Sequence, residues 1–317
     1  MQTTLFQSKK WQKLQDDLGE TSHFQKTKTF QYLAIEKNTP CGKYLYLPYG
    51  PCFNDKSGFE DAIADLKKLA SKTKAFFIRI EPQNLIIDDY LQKTSKIQKL
   101  SLKKTKDLNP GDTWILDLTA DKAQIISDFA QGTRRGYNQF AKKGISVEVT
   151  KDPDAIKNLV NLQRLLAKRK NINSVPESYL RTEYAQDFAT LYLAKYTPEN
   201  ESERVIAAAF IFDNDGTRYY MQGASDNNYR KLPGMVSIFT TAIFDAKEKG
   251  FKNFDFWGIA PENAPKNHPW AGFTQFKKSF GGAPAHYCGT YDLIASKTKY
   301  RLYAILRKIN RLLRKGK

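Results

Sequence analysis

Few side chains in this sequence could run covalent chemistry unaided. It holds three histidines (His23, His268, His286) and three cysteines (Cys41, Cys52, Cys288), with no CxxC pair and too few histidines for a His-based metal site. No Ser/His/Asp or Cys/His constellation and no Gly-rich P-loop stands out, which argues against a hydrolase or a kinase. Carboxylates and ammonium groups remain. Glu81 closes an apolar strand and is held by Pro82, a carboxylate placed where it could serve as a general base. Its bland reading is a surface acid paired with Arg79, two residues earlier. Lys277 stands beside Lys278 on a short helix; an ammonium there can stabilise developing negative charge, yet on residue type alone it reads as a solvent-facing lysine. The 51 Lys+Arg against 33 Asp+Glu, a net charge of +18, call for an anionic partner such as nucleic acid, a phosphorylated substrate or an acidic membrane.

The elements that would hold these residues alternate between strand and helix, so the fold class is α/β with mixed sheets. Chain length, 317 residues, suits two domains of about 100–200 residues each. Lys43–Leu47 reads as a strand running into Pro48-Tyr49-Gly50-Pro51, a turn whose glycine is free to take positive φ. A helix follows over 58–72, with Phe59, Ile63, Leu66 and Ala70 at helical spacing, then a buried strand over 75–80. Tyr90–Lys106, with six lysines and no acid, reads as a solvated helix or loop. A strand over 114–118 precedes one long helix towards Gly144, capped by Thr119 or Asp121. Helices over 153–170 and 177–188 lead to strands over 190–196, 204–212 and 217–223, the last two joined by the hairpin turn Asp213-Asn214-Asp215-Gly216. A loop with Gly234, a helix over 235–249 and a strand over 254–257 follow. Strand, Gly-bearing loop, helix, strand and Pro therefore occur twice, about 180 residues apart, the mark of a duplicated α/β unit.

A loop at a helix N-terminus is a natural anion site, the place where GNAT-type acyltransferases hold the coenzyme A pyrophosphate. Here it reads Arg230-Lys231-Leu232-Pro233-Gly234-Met235. Pro233 lacks an N–H donor and Met235 adds bulk, so an acyl-CoA donor is disfavoured.

Several pieces share one resemblance: Tyr44-Leu45-Tyr46-Leu47-Pro48-Tyr49-Gly50-Pro51, Phe76-Phe77-Ile78-Arg79-Ile80-Glu81-Pro82, Thr113–Leu118, Gly223–Arg230 and Asp255-Phe256-Trp257-Gly258-Ile259-Ala260-Pro261. The longest is His268-Pro269-Trp270-Ala271-Gly272-Phe273 through Phe276-Lys277-Lys278-Ser279-Phe280-Gly281-Gly282. In this order, from about Phe6 to Arg307, they resemble the Fem family of aminoacyl-tRNA-dependent transferases that build peptidoglycan interpeptide bridges. The resemblance implies two tandem GNAT-like domains, with the last segment returning to the first. The expected division is 1–119 plus 288–317 on the precursor-binding side and 120–287 for the second domain. No heptad stretch occurs between Lys151 and Lys170 or later, which points to the compact type without a coiled-coil arm.

The implied reaction moves an amino acid of the Gly, Ala or Ser kind from its tRNA to the stem-peptide amine of UDP-MurNAc-pentapeptide or lipid II. No cofactor or metal is expected beyond the aminoacyl-tRNA co-substrate. Within the resemblance Lys277 becomes the stabiliser of the oxyanion and Glu81 the group that orients the amine; Phe276 packs against the tRNA end or faces the core. Tyr229, Arg230 and Tyr179 are candidates for the precursor's sugar and phosphates, and Arg79, Tyr49 and Trp270 complete the substrate-binding set. An arginine expected four residues before Tyr179 is here Val175, for which Arg181 or Lys170 would substitute, and Gln15 stands where relatives carry a lysine. Trp257 reads as core and His268 as a structural hydrogen-bonder. From Lys297 to Lys317 nine Lys/Arg and no acid accompany Leu302, Ile305, Leu306, Ile309, Leu312 and Leu313 on one helical face. Part of that face is expected to pack on the first domain, leaving a basic end for a membrane surface or tRNA. Met1–Gln15 lacks a signal-peptide core and the longest apolar run, Val205–Phe212, is too short to span a bilayer, so a cytoplasmic monomer, peripheral at the inner face of the plasma membrane, is expected. Two other readings stay open: an acyl-CoA-dependent N-acyltransferase, and a basic RNA-binding protein without chemistry.

Overall fold

The computed structural model describes residues 3–92, 94–199 and 201–315. The chain forms two units, Met1–Gly111 with His286–Lys317, and Asp112–Ala285.

In the first unit the sheet runs Ser22–Lys26, Phe30–Thr39, Gly42–Leu47, Phe77–Ile80, Tyr291–Ile294, Leu102–Lys104, with Cys52–Phe53 paired to Phe30–Thr39. Gly42–Leu47 and Phe77–Ile80 are parallel neighbours. Their crossover is the helix Lys56–Thr73, opened by the Asp55 carboxylate, which accepts from the Gly58 N–H at 2.9 Å. Phe59, Ile63, Leu66 and Ala70 are buried on its inner side, as their spacing predicts. Tyr291–Ile294, from the far end of the chain, lies between Phe77–Ile80 and Leu102–Lys104, so the last segment does return to the first unit.

The second unit's sheet runs Ala283–His286, Asp112–Asp117, Asn253–Gly258, Thr217–Ser225, Arg204–Asn214, Ala189–Tyr196, Ile145–Thr150. Thr217–Tyr219 pairs parallel with Asn253–Asp255, and the crossover is the helix Gly234–Glu248. The duplicated pattern of the sequence is therefore one geometry used twice: a parallel strand pair with a helix over the crossover.

Several expectations are corrected. In the turn after Gly42–Leu47, Tyr49 takes the left-handed conformation (φ 51°), not Gly50. Gly50 is needed for space, because a Cβ there would lie 2.3 Å from the Gln7 amide. The lysine-rich stretch is not mere solvated chain: Leu102 is buried and its strand joins the sheet. The helix towards Gly144 is two helices, Lys122–Asp128 and Gln131–Gln139. Phe129, extended between them, turns into the core and ends the first helix. Gly136 packs so closely that a Cβ would meet Val236 Cγ1 at 3.0 Å. The helix from Glu177 ends at Tyr184. The strand over 114–118, placed in the first domain by the expected boundary at 119, pairs instead with Asn253–Gly258 and belongs to the second unit. All three cysteines are free. Among the described residues no helix is long and apolar enough to cross a membrane.

Candidate active site

The second unit's parallel pair stops hydrogen-bonding after Tyr219 and Asp255, and beyond that point the strands take different partners. Thr217–Ser225 follows Arg204–Asn214 across a bulge between Phe210 and Ile211, while Asn253–Gly258 follows Asp112–Asp117 across a second irregularity between Asp255 and Gly258. Two strands parting within one sheet open a cleft at their carboxyl ends.

Lys277 reaches this region from the helix Ala271–Lys278. It is 6% exposed, contrary to its bland reading, and Nζ donates to the Gly258 carbonyl at 2.6 Å. The ammonium lies 4.9 Å from the Phe273 ring and 5.7 Å from that of Tyr220. Burial lowers its pKa to about 8, and the nearby Asp255 charge acts the other way. At neutral pH Lys277 remains an ammonium, desolvated and with one hydrogen-bond acceptor, the Gly258 carbonyl, among the described residues.

Asp255 holds the turn that presents the Gly258 carbonyl. It is fully enclosed, takes the Trp257 N–H at 2.7 Å and bonds the Thr113 hydroxyl; burial raises its pKa to about 7. Trp257 is left-handed (φ 67°), a conformation costly for a bulky residue and kept here by the Asp255 bond. Trp257 is half-buried and not the core residue expected.

Lys277 lines a cavity of about 520 Å³ with Tyr220, Gln222, Gly223, Met235, Phe273 and Phe276 among its walls. Gly223 is obligatory, since a Cβ there would sit 2.9 Å from the Ala208 carbonyl and 2.6 Å from the Tyr220 hydroxyl. Gln222 is held from behind: its amide donates to Glu183 at 3.2 Å and accepts from Gln163 at 2.9 Å. Glu183 is buried, bonded by the Tyr179 hydroxyl, and desolvation pushes its pKa up to about 8. Tyr179 is therefore tied to the cavity's supporting network. Val175 does line this cavity, but Arg181 does not replace the missing arginine: its guanidinium bonds Glu177 at 2.7 Å. Besides Lys277, the cationic residue in the wall is Arg169, next to the Lys170 expected to substitute.

A second cavity of about 530 Å³ shares Ser225, Met235, Phe273 and Phe276 with the first. Arg135, Lys143, Arg230 and Lys231 give it a cationic wall, and Tyr229 lines it too. Tyr229 and Arg230 are thus brought together with Phe276 on the helix that carries Lys277. Pro233, without an N–H, is the N-cap of Gly234–Glu248, so this helix end offers one donor fewer to a pyrophosphate. Trp270 is 38% exposed at the start of the Lys277 helix, its ring 5.6 Å from that of Phe273. The His268 ring accepts from the Trp270 N–H at 3.1 Å, the structural role expected of it.

The candidates of the first unit behave differently. Glu81 is buried and its oxygens accept from five donors at 2.8–3.2 Å: the N–H groups of Leu108 and Asn109, the Thr290 and Tyr46 hydroxyls, and the Asn109 amide. Its lone pairs are used in fixing the 107–110 segment. Arg79 does not pair with it. Arg79 is buried and forks onto Asp292, Nε to Oδ1 at 2.7 Å and Nη2 to Oδ2 at 2.8 Å, so it is corrected from substrate ligand to structural ion pair. Tyr49, 2% exposed, donates to the Pro110 carbonyl at 3.0 Å and is likewise a scaffold residue. Gln15 is buried.

Sequence reasoning missed Asp255, Glu183, Gln222 and Arg169. A signal existed for the first: an acid between Phe254 and Phe256 in an apolar strand marks a buried, partnered carboxylate.

Two mixed sheets, each with a helix-bridged parallel pair, define a fold of two tandem GNAT-like units, with a desolvated ammonium in the cleft of one. The FemAB family model matches residues 1–109 and 190–308, and the chain belongs to that family. It is 22% identical to a "Lipid II:glycine glycyltransferase" of Staphylococcus haemolyticus, over 79% of this chain and 76% of that protein. The fold is similar to that of the FemX crystal structure (TM-score 0.82, 18% identity, 94% of each chain). It is also similar to a tandem GNAT protein from the clavulanic acid biosynthesis pathway (TM-score 0.50, 10% identity, 84% of this chain and 79% of that one).

Proposed function

We propose that the chain transfers an aminoacyl group of the Gly, Ala or Ser kind from charged tRNA to the stem-peptide amine of a peptidoglycan precursor, lipid-linked or nucleotide-linked. The observation that carries this reading is Lys277, an ammonium buried at the wall of one cavity and flanked, through Phe273 and Phe276, by a second cavity with four cations. A polyanionic tRNA end suits the cationic cavity, and the ester carbon then lies towards the ammonium. The amine nitrogen forms the new bond to that carbon while the carbon–ribose oxygen bond breaks. The carbonyl oxygen gathers charge that Lys277 stabilises, and the proton lost by the amine ends on the ribose hydroxyl. Glycyl transfer by a similar protein supports the reaction class.

A transfer assay with a pool of radiolabelled aminoacyl-tRNAs, lipid-linked and UDP-linked acceptors, and Lys277→Ala alongside tests this. Label on one acceptor, lost with Lys277→Ala, is expected. Transfer from acyl-CoA, or tRNA bound without transfer to either acceptor, would overturn it.

A further inference from the structure

The helix Lys297–Lys315 packs through the side that its apolar pattern does not mark. The Tyr300 hydroxyl donates to Asp292 at 2.8 Å, joining the buried Arg79–Asp292 pair. Tyr303 sets its ring 5.3 Å from Phe77 and 5.6 Å from Phe76. These tyrosines hold the helix on the first unit. Leu302, Ile305 and Ile309 were expected to share that work, but they are 52%, 57% and 46% exposed. At 3.6 residues per turn they form one stripe, roughly 150° round from the tyrosines. The stripe is fixed outward by a rigid, ion-paired anchor on the opposite face.

Charge identifies what covers it. Lys297–Lys317 holds nine Lys/Arg and no acid. Lys103, on the strand beside the helix, places its ammonium 5.5 Å from the Tyr300 ring and adds to the same cationic surface. A second copy of the chain would set this acid-free, basic segment against itself, like charge against like. A nucleic acid backbone would satisfy the charge and leave three large aliphatic side chains in water. An anionic bilayer satisfies both, with acyl chains for the stripe and headgroup phosphates for the flanking cations.

We propose that this helix is a peripheral membrane-docking surface, lying in the plane of an anionic lipid bilayer with Leu302, Ile305 and Ile309 inserted. Docking would bring the enzyme to a lipid-linked acceptor rather than a nucleotide-linked one, the single point at which it rests on the function proposed above. The lipid contact itself needs no transfer chemistry.

Sedimentation of the full chain with vesicles of phosphatidylcholine, with and without phosphatidylglycerol, at about 150 mM salt tests it. The wild type is expected to pellet only with the anionic vesicles. The triple variant Leu302→Ser, Ile305→Ser, Ile309→Ser, all charges kept, should bind at least ~10-fold more weakly. Its melting temperature and its retention of tRNA on filters should be unchanged. Equal vesicle binding by wild type and variant would reduce the helix to a charge effect and overturn insertion. Absence of binding by the wild type, or loss of tRNA retention in the variant, would overturn the proposal as well. A docking failure with transfer intact on a soluble acceptor would leave the proposed function standing.

Discussion

Glu81 and Lys277 are buried charges on the two halves of a duplicated fold, and they differ in how fully the protein satisfies them. Glu81 takes five donors, and the cavity beside it has room for about 10 Å³, less than one water. Lys277 has one carbonyl acceptor among the described residues and a cavity of about 520 Å³ before it. A buried ion with all its valences filled is held for stability; one with fewer protein partners, and space in front of it, keeps N–H donors that a substrate or transition state can take in place of water. The two halves thus bury their charges differently, Glu81 just after a strand and Lys277 near the end of a helix, and the difference in hydrogen bonding is what makes Lys277 the stronger candidate for the proposed chemistry.

The largest effect expected from this contrast is at Lys277. Lys277→Met, close in length and uncharged, should lower kcat by about 10²–10³ with the protein still folded, as read by single-turnover transfer and thermal melting. Its pH dependence has a defined sign. The ammonium is present below its pKa of about 8, so transfer should decline as pH rises through 8. A flat profile from pH 7 to 9.5 would remove Lys277 from the chemistry.

Asp255 sharpens the same half of the comparison. Its negative charge raises the pKa that burial lowers in Lys277, and it holds the turn at Trp257. Asp255→Asn should cost about tenfold in kcat with KM little changed, and should move the alkaline limb below pH 8, since loss of a nearby anion disfavours the ammonium. An unmoved limb would make Asp255 structural only. In the other half, Glu81→Gln places an amide N–H₂ against donors, so a loss of ~1–3 kcal/mol in urea unfolding is expected, with kcat at low temperature nearly intact. A collapse in kcat at unchanged stability would mean that Glu81 acts on substrate.

Much of the architecture was legible because hydrophobic periodicity and turn chemistry are local. The helix bearing Phe59, Ile63, Leu66 and Ala70, the 213–216 hairpin and the duplicated strand–helix–strand unit all follow from neighbouring residues. What escaped depends on partners distant in sequence. Arg79 and Asp292 are 213 residues apart, and nothing in either segment announces the other. The helix Lys297–Lys315 carries an apolar stripe that local reasoning assigns to packing, while two tyrosines do the packing, Tyr300 by bonding the buried carboxylate of Asp292 and Tyr303 by setting its ring against Phe76 and Phe77. Lys277 could be singled out from the residues around it, but its burial arises where two strands part, which sequence spacing alone does not reveal.

The smallest effect concerns the wall of the Lys277 cavity. In the unfolded chain Glu183 ionises at its ordinary value of 4.5; in the folded protein burial pushes it up to about 8. Between these values the folded state keeps a proton that the unfolded state has released, so this residue's contribution to stability falls as pH rises across the window. Glutamine cannot ionise and can still accept from Tyr179 and Gln222. Glu183→Gln should therefore raise the melting temperature above pH 8, leave it nearly unchanged near pH 4.5, and alter transfer by less than about twofold, as the Gln222 side chain keeps its support. A melting curve that shifts equally at both pH values would show that Glu183 is not held protonated, and the cavity wall behind Gln222 would then carry a buried anion of the filled kind, like Glu81.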